Sequence, residues 1–271
     1  MWIDILDSFM HKPDTFCSAT HLILLWVVSL IGCLMGAEGV DLPPSQAQEN
    51  GSVLRGKLTY QSDPKHPWRL QRYFVHGPGR HLSEAVVELI PAGKRAHGEQ
   101  PLRPEPTIHL MDQQDHLFVP EILVLRKGDQ VRFMNSESAL HNVMCLEAQP
   151  PLNHNLAKGQ EYLFTPGAVN GTKDPLEITC IFHGAMKAWV FVFDHPYYQL
   201  TQREGIFQFD GVQPGDYHLR IAHPAGKLYL ETPVRRFTGS HTDWLIELSP
   251  AHLKGTENSQ KAVEAQGSDD L

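Results

Sequence analysis

The chain has 271 residues, which is enough for one large domain or two small ones. Its formal net charge of -8 at pH 7, with no block of basic residues, argues against a nucleic-acid-binding protein. The 20 proline and 21 glycine residues are spread between short apolar runs, which is typical of an all-β protein with many turns.

The N-terminal segment predicts export. Residues 22–35 are apolar or small and carry no charge, which matches the apolar core of a signal peptide and is shorter than the about 20 residues that a membrane-spanning helix needs. Ala37 and Gly39 present small side chains at the two positions that a signal peptidase recognises. We therefore expect residues 1–39 to be a signal peptide cleaved before Val40, and a bacterial periplasm to be the location.

A second interpretation of the same segment is lipidation. Leu30-Ile31-Gly32-Cys33 resembles a lipobox, in which Cys33 would carry a lipid anchor and make the only membrane contact. An uncleaved anchor is a third interpretation, and all three export the folded part. Residues 40–52 are polar, contain two prolines and are predicted to be a flexible linker. After them, residues 53–93 contain two predicted strands, which we assign to the first part of a β-sandwich.

A set of soft and borderline metal ligands follows in the middle of the chain. Cys180, His183 and Met186 form the pattern C-x-x-H-x-x-M, and His141 lies in an earlier loop. One thiolate, two imidazoles and a weak thioether form the ligand set of blue copper electron-transfer sites. A Cys-x-x-His pair alone is a weak signal, because it also occurs by chance and in zinc sites. The β-rich sequence around both loops favours copper, with these four residues as its ligands.

The order of segments around these ligands resembles the cupredoxin family. Residues 118–135 read as strands before His141, residues 164–167 (Phe-Thr-Pro-Gly) lead towards the Cys180 loop, and residues 188–193 follow it as a strand. The short ligand loop looks most like that of amicyanin and of plastocyanin-like proteins named for methylamine utilisation. The resemblance covers roughly residues 105–194, and we assign residues 94–194 to a cupredoxin domain.

The resemblance implies one type 1 copper ion that transfers electrons by cycling between Cu(II) and Cu(I). It implies that Cys180 binds as a thiolate and that His141 and His183 bind as neutral imidazoles. Met186 would be the long axial ligand. The more exposed imidazole, that of His183, would be the electron port beside an apolar patch. Asn142 matches the position whose side chain ties the two ligand loops together near the thiolate.

The segment after the ligand loop predicts another β-sandwich. Residues 206–209 predict a strand, residues 213–216 (Gln-Pro-Gly-Asp) a tight turn, and residues 217–222 the returning strand. These elements make residues 195–249 similar to a carboxypeptidase regulatory-like domain, a transthyretin-type β-sandwich. Its first part would be residues 53–93, so the copper module would be inserted into a surface turn. The alternative is that residues 53–93 extend the sheet of the copper module.

The predicted fold class is therefore all-β: a Greek-key cupredoxin sandwich or barrel plus a second small β-sandwich, which could be discontinuous around it. Pairing of residues 86–89 with residues 217–221 would favour the insertion, whereas pairing with residues 131–133 would exclude it. The tail, residues 250–271, lacks the apolar content needed for a core and is predicted to be disordered.

Alternatives to a copper electron carrier stay open on the sequence alone. Cys180 could form a disulfide with Cys145, which could otherwise be a buried free thiol. The protein could also be a periplasmic copper-binding carrier or sensor that exchanges the ion, or a non-redox interaction module. A type 1 site leaves no open position for a substrate, and no catalytic motif is visible. We therefore expect a carrier and not an enzyme, with an unidentified redox partner protein.

Overall fold

The computed structural model describes five stretches of the chain: residues 52–61, 75–93, 105–225, 227–239 and 242–253. Their regular secondary structure is almost entirely β-strand, which confirms the all-β fold class. The predicted signal peptide with Cys33, and the predicted linker up to residue 51, lie outside the described residues. Within the described stretches, no helix is long and apolar enough to cross a membrane.

The strands are numbered in chain order. Residues 52–93 form β1 (Leu54–Tyr60), β2 (Val75–His76), β3 (His81–Leu82) and β4 (Val86–Pro91). Residues 105–193 form β5 (Ile108–Gln114), β6 (Leu117–Val119), β7 (Ile122–Arg126), β8 (Gln130–Asn135), β9 (His141–Cys145), β10 (Leu152–Leu156), β11 (Glu161–Phe164), β12 (Leu176–Thr179) and β13 (Lys187–Phe193). Residues 198–253 form β14 (Tyr198–Leu200), β15 (Ile206–Phe209), β16 (Gly215–His223), β17 (Leu228–Glu231), β18 (Arg235–Phe237) and β19 (Thr242–Leu248).

These strands form four sheets. Sheet 1 contains β2, β3, β1, β15 and β19, and sheet 2 contains β14, β4, β16, β17 and β18. Sheet 3 has the order β10-β9-β12-β13-β7, and sheet 4 has the order β11-β8-β5-β6. The pairs β1–β19, β7–β13 and β5–β8 are parallel, so none of them can be joined by a tight hairpin turn.

The position of β4 relates the first strands to the last ones. Val87 lies opposite Ile221 and Leu89 opposite Leu219 in β16, and β14 pairs with the other edge of β4. Among the described residues, β4 has no partner strand in sheet 3 or sheet 4. The strands before and after residues 105–193 therefore share sheet 2.

Two apolar cores fill the two sandwiches. The core between sheets 1 and 2 contains the fully buried Phe207 and Leu219, and the core between sheets 3 and 4 contains Phe133 and Val190. In the first core, Phe207 of β15 lies opposite Gly56 of β1, and its ring covers that glycine. A Cβ at that position would overlap with this ring and with the Trp244 carbonyl, so the close approach requires glycine.

A third core joins the two sandwiches, because β13 is buried on both faces. Alternate side chains of a strand point to opposite faces. One set enters the core between sheets 3 and 4: Ala188, Val190 and Val192. The other set meets Val86 and Ala222 of sheet 2: Trp189, Phe191 and Phe193. A strand covered on both sides reads as a continuous apolar run, as β13 does.

A buried carboxylate lies beside this third core. Glu88 of β4 accepts hydrogen bonds from the main-chain N–H of Thr172 at 3.2 Å and from its hydroxyl, while the Nε2 atom of His195 lies 3.2 Å from the other oxygen. Burial alone would raise the pKa of Glu88, but the bonds from His195 and Thr172 outweigh it and hold the pKa below its usual range. The buried charge is therefore satisfied by groups from both sandwiches.

The C-terminal part of the described chain is more ordered than predicted. Pro250–His252 form a 3₁₀ turn, and the Ser249 hydroxyl accepts a hydrogen bond from the Ala251 N–H at 3.3 Å. His252 is buried, and Leu253 pairs with Leu228. Residues 250–253 therefore differ from the prediction of a disordered tail, because the serine cap and the following proline start a turn that packs on sheet 2. Residues 254–271 lie outside the described part.

Candidate metal centre

His141 is the first residue of β9 and is fully buried. Its Nε2 atom contacts the Oε1 atom of Glu137, four residues earlier. The Glu137 main chain is held in turn, since its N–H donates to the Asn135 side chain at 3.0 Å. An imidazole that donates from Nε2 to a carboxylate keeps its lone pair on Nδ1, so this contact directs Nδ1 of His141 towards a metal.

The loop between β12 and β13 supplies the other predicted ligands. The main-chain N–H of His183 donates to the Cys180 carbonyl at 3.3 Å, and that of Met186 donates to the His183 carbonyl at 2.9 Å. These two successive turns bury Cys180 and Met186 at the two ends of the loop and leave His183 partly exposed between them. A strand-to-strand loop of this length can therefore deliver three side chains to one place.

Three of the four predicted ligands converge. The Cys180 Sγ atom lies 3.8 Å from Nδ1 of His141 and 3.6 Å from Nδ1 of His183, and the two nitrogens are 3.1 Å apart. In the plane of these three atoms, the point equidistant from them lies about 2.0 Å from each. This distance is close to the roughly 2.0–2.3 Å of metal bonds to imidazole nitrogen and thiolate sulfur. The residues therefore fit one metal ion bound by two nitrogens and one sulfur.

Met186, the fourth predicted ligand, is fully buried and lies in the same apolar cluster as Cys180. It immediately precedes β13, so its main chain is fixed by the strand on one side and by the turn to His183 on the other. A thioether in this environment is shielded from water. That shielding suits a weak axial ligand, which adds little affinity but tunes the metal.

Asn142 contacts the sulfur differently from what the family resemblance implies. Its main-chain N–H donates to the Cys180 Sγ atom at 3.3 Å, which ties the two ligand loops together. Its side-chain amide instead donates to β10, to the Asn153 and Asn155 side chains at 2.9 Å each and to the His154 carbonyl at 3.2 Å. The side chain thus anchors β9 to its neighbouring strand, and the main-chain N–H donates to the cysteine sulfur.

Two further residues at the site are not found by sequence reasoning. Glu137 is one of them, although its spacing of four from His141 is a signal that could have found it. His116 is the other: its ring centroid lies 4.7 Å from that of His183 and 5.5 Å from that of His141, in edge-to-face contact with both. In the sequence His116 is one of many scattered histidines, and only the β5–β6 turn brings it to the ligands.

The electrostatic surroundings favour the neutral form of His183 and the charged form of Glu137. Partial burial, followed by the neighbouring His141 and His116, lowers the pKa of His183, which favours the neutral imidazole that can bind a metal. Partial burial would raise the pKa of Glu137, but its contacts with His141 and His116 outweigh this and lower it. Glu137 is therefore an anion that orients a ligand.

The two described cysteines are both free, so the alternative disulfide between Cys145 and Cys180 is not formed. Cys145 is the last residue of β9 and lies in the core between sheets 3 and 4. Burial raises the pKa of its thiol, which keeps it in the uncharged, unreactive form. This agrees with the interpretation of Cys145 as a buried free thiol.

Fold and site together define a class: an all-β protein with a two-histidine, one-cysteine group able to bind a metal ion. No family model matches the chain, and no curated protein does. Among solved structures the chain is similar to the copper-containing nitrite reductase (NirK) from Thermus scotoductus SA-01, at 22% identity and a TM-score of 0.28 over 39% of this chain and 26% of the reductase chain.

Two smaller proteins are also similar to part of the chain. An oxidized mutant of amicyanin has 20% identity and a TM-score of 0.29, covering 41% of this chain and 99% of its own. A purple cupredoxin from Nitrosopumilus maritimus has 16% identity and a TM-score of 0.27, covering 31% of this chain and 99% of its own. All three TM-scores are low.

Proposed function

We propose that the protein is an exported type 1 copper protein that carries single electrons. The convergence of two imidazole nitrogens and one thiolate sulfur around a point about 2.0 Å from each supports this proposal. His141, Cys180 and His183 would hold the ion, with Met186 as the axial ligand. Two histidines and one cysteine with a weak thioether are the ligand set of blue copper sites. When bound, copper supplies a one-electron couple between Cu(II) and Cu(I).

The protein's own groups would keep the ligands in one geometry. Glu137 fixes the orientation of the His141 ring, and the Asn142 N–H donates to the cysteine sulfur. Hydrogen bonds to this sulfur and the axial ligand are the factors that tune the reduction potential of such sites. Ligands that are held in place by hydrogen bonds to neighbouring residues move little when an electron enters or leaves the site. A small rearrangement of this kind is what an electron carrier requires.

The ligand set also argues for a carrier rather than an enzyme. Two imidazoles, one thiolate and a thioether would fill the coordination sphere, so no position remains for a substrate. Apolar side chains next to the ligands in sequence offer a surface for a redox partner protein, because Leu140, Ile181 and Phe182 are 49%, 54% and 46% exposed. We propose that an unidentified one-electron donor or acceptor docks on them.

We further propose that residues 94–194 are a cupredoxin domain inserted into a transthyretin-type sandwich made of residues 53–93 and 195–249. The pairing of β4 with β16 supports this division. Export rests on the signal peptide predicted in residues 1–39, with a lipid anchor at Cys33 as the alternative. The second sandwich would then act as a rigid support that presents the metal end of the first.

The test is the visible spectrum of the copper-loaded protein, compared with those of Cys180→Ser and Cys145→Ser. We expect an intense visible band that a reductant bleaches reversibly, its loss in Cys180→Ser, and its retention in Cys145→Ser as the matched control. A colourless protein that binds copper only as Cu(I) would replace the electron carrier with a copper-exchange protein. A protein that binds no copper would leave an interaction module.

A further inference from the structure

The most solvent-exposed imidazole ring at the metal centre is that of His116, which is not one of the predicted ligands. His141 is fully buried and His183 is partly buried, whereas the His116 side chain is 58% exposed. The His116 ring stands nearly perpendicular to that of His183, with 75° between their planes and 4.7 Å between their centroids. Of the three imidazole rings, that of His116 is therefore the one most open to an approaching molecule.

The position of His116 is fixed by its main chain. Asp115 and His116 form the two-residue turn between β5 and β6, with φ angles of 50° and 60°. Such turns require the left-handed conformation at both central residues, which residues other than glycine, asparagine and aspartate seldom adopt. The main-chain N–H of His116 donates to an oxygen of Glu137 at 3.4 Å. This hydrogen bond ties the turn to the loop between β8 and β9, which precedes His141.

The same carboxylate orients two imidazoles. Glu137 contacts Nε2 of the ligand His141, and its Oε1 atom lies 3.5 Å from Nδ1 of His116. The neighbouring Ser136 is tied to the β5 strand, because its N–H and its hydroxyl both donate to the buried Asp112, at 3.1 and 2.6 Å. The hairpin that carries His116 and the loop that carries Glu137 are therefore one unit.

We infer that His116 is the residue through which a partner exchanges electrons with the metal centre, and that His183 is reached through it. This inference rests on the proposed function and names the contact residue of the same site. One electron passes from a reduced one-electron donor to the oxidised site, or from the reduced site to an acceptor. No bond is formed or broken and no proton moves. The exposed ring extends the route from the partly buried ligand to the surface.

Packing alone does not account for a histidine at this place. A side chain that is 58% exposed buries little apolar area, and asparagine is well suited to the left-handed turn. His116→Asn is therefore the most useful variant, because it removes the ring and keeps the turn. His116→Phe is its partner, because it keeps an aromatic ring. His81→Ala, which removes a histidine from β3 of sheet 1, is the matched control.

The kinetic test uses two one-electron oxidants of opposite charge, ferricyanide and tris(phenanthroline)cobalt(III), with the reduced copper-loaded protein. We expect His116→Asn to slow both reactions about tenfold, as the loss of a group just outside the ligands commonly does. The visible band and the reduction potential should stay unchanged. His116→Phe should react faster than His116→Asn, and His81→Ala should react like the wild type. An unchanged or faster reaction of His116→Asn would show that the ring only covers His183, which overturns the inference.

A second measurement uses the metal-free protein. Diethyl pyrocarbonate acylates accessible imidazoles, and mass spectrometry locates the modified residue. We expect His116 to react before His183 in the wild type, and His183 to react faster in His116→Asn than in the wild type. Equal reactivity of His183 in both proteins would mean that the ring does not stand in front of it. A missing visible band in the wild type would refute the proposed function. A normal band in the wild type, together with an oxidation rate of His116→Asn equal to that of the wild type, would refute this inference alone.

Discussion

Replacing Phe191 by alanine tests whether the two sandwiches unfold as one body. Phe191 is the central residue of the core between sheets 2 and 3 and is fully buried. Removing such a ring costs about 3–5 kcal/mol, because the transfer free energy is lost and a cavity remains. The whole free energy of unfolding is about 5–15 kcal/mol for a protein of ordinary stability. The variant should therefore lose a large fraction of its stability.

The assay combines urea unfolding and thermal unfolding with hydrogen exchange resolved by mass spectrometry. At about 2–4 °C per kcal/mol for a chain of this size, the melting temperature should fall by roughly 10 °C. The protection of main-chain amides against exchange should fall together in β1 of sheet 1 and in β9 of sheet 3. Neither of these strands is a hydrogen-bonded neighbour of β13. Leu245→Ala, at a site that is 71% exposed, serves as the control and should change stability by less than about 0.5 kcal/mol.

Two outcomes would refute this reasoning. A loss below about 1 kcal/mol would mean that the third core contributes little, since even a modest cavity exceeds that value. Faster exchange in β9 with unchanged exchange in β1 would mean that the two sandwiches unfold independently, each around its own core. In that case the buried face of β13 would be a contact between two stable domains and not a shared core.

Three further predictions address single contacts. Glu137→Gln should weaken copper binding about 10–100-fold in a chelator competition, because the His141 ring loses its anionic partner; unchanged affinity would show that this contact does not orient the ligand. Glu88→Gln should lower stability at pH 7, and the deficit should shrink in urea titrations as the pH falls below about 4.3, because the folded-state pKa of Glu88 is held below its unfolded value. A constant deficit would contradict this assignment. Gly56→Ala should cost about 1–3 kcal/mol through overlap in the first core, whereas Gly184→Ala, with no atom within 4 Å of the added methyl, should be nearly neutral in the same denaturation experiment.

The ligand loop is predictable from the sequence because its geometry is local. Cys180, His183 and Met186 lie within seven positions, so any short loop between two strands brings them close together. His141 is found because its residue type completes a known ligand set, although the distance between the loops depends on β9 and β12 being neighbours. The apolar run of β13 likewise predicts a strand, but it does not reveal what covers the second face.

The contacts around the ligands depend on pairing that the sequence does not display. His116 reaches the site because β5 lies parallel to β8, and that pairing places the β5–β6 turn beside the residues that precede His141. The side chain of Asn142 turns to β10 because three acceptors are available there, a local competition that residue identity does not show. Such partners are set by tertiary structure and require coordinates.

Because the strand β13 is buried on both faces, we expect binding of the proposed metal ion to stabilise both sandwiches. An ion that binds only the folded state stabilises it according to its free concentration relative to its dissociation constant. Because one strand lines both cores, that stabilisation extends to sheets that lie far from the ion. In the exported location that we propose, proteases would degrade the metal-free form faster than the copper-loaded form. Copper supply would then set the abundance of the protein as well as its redox state.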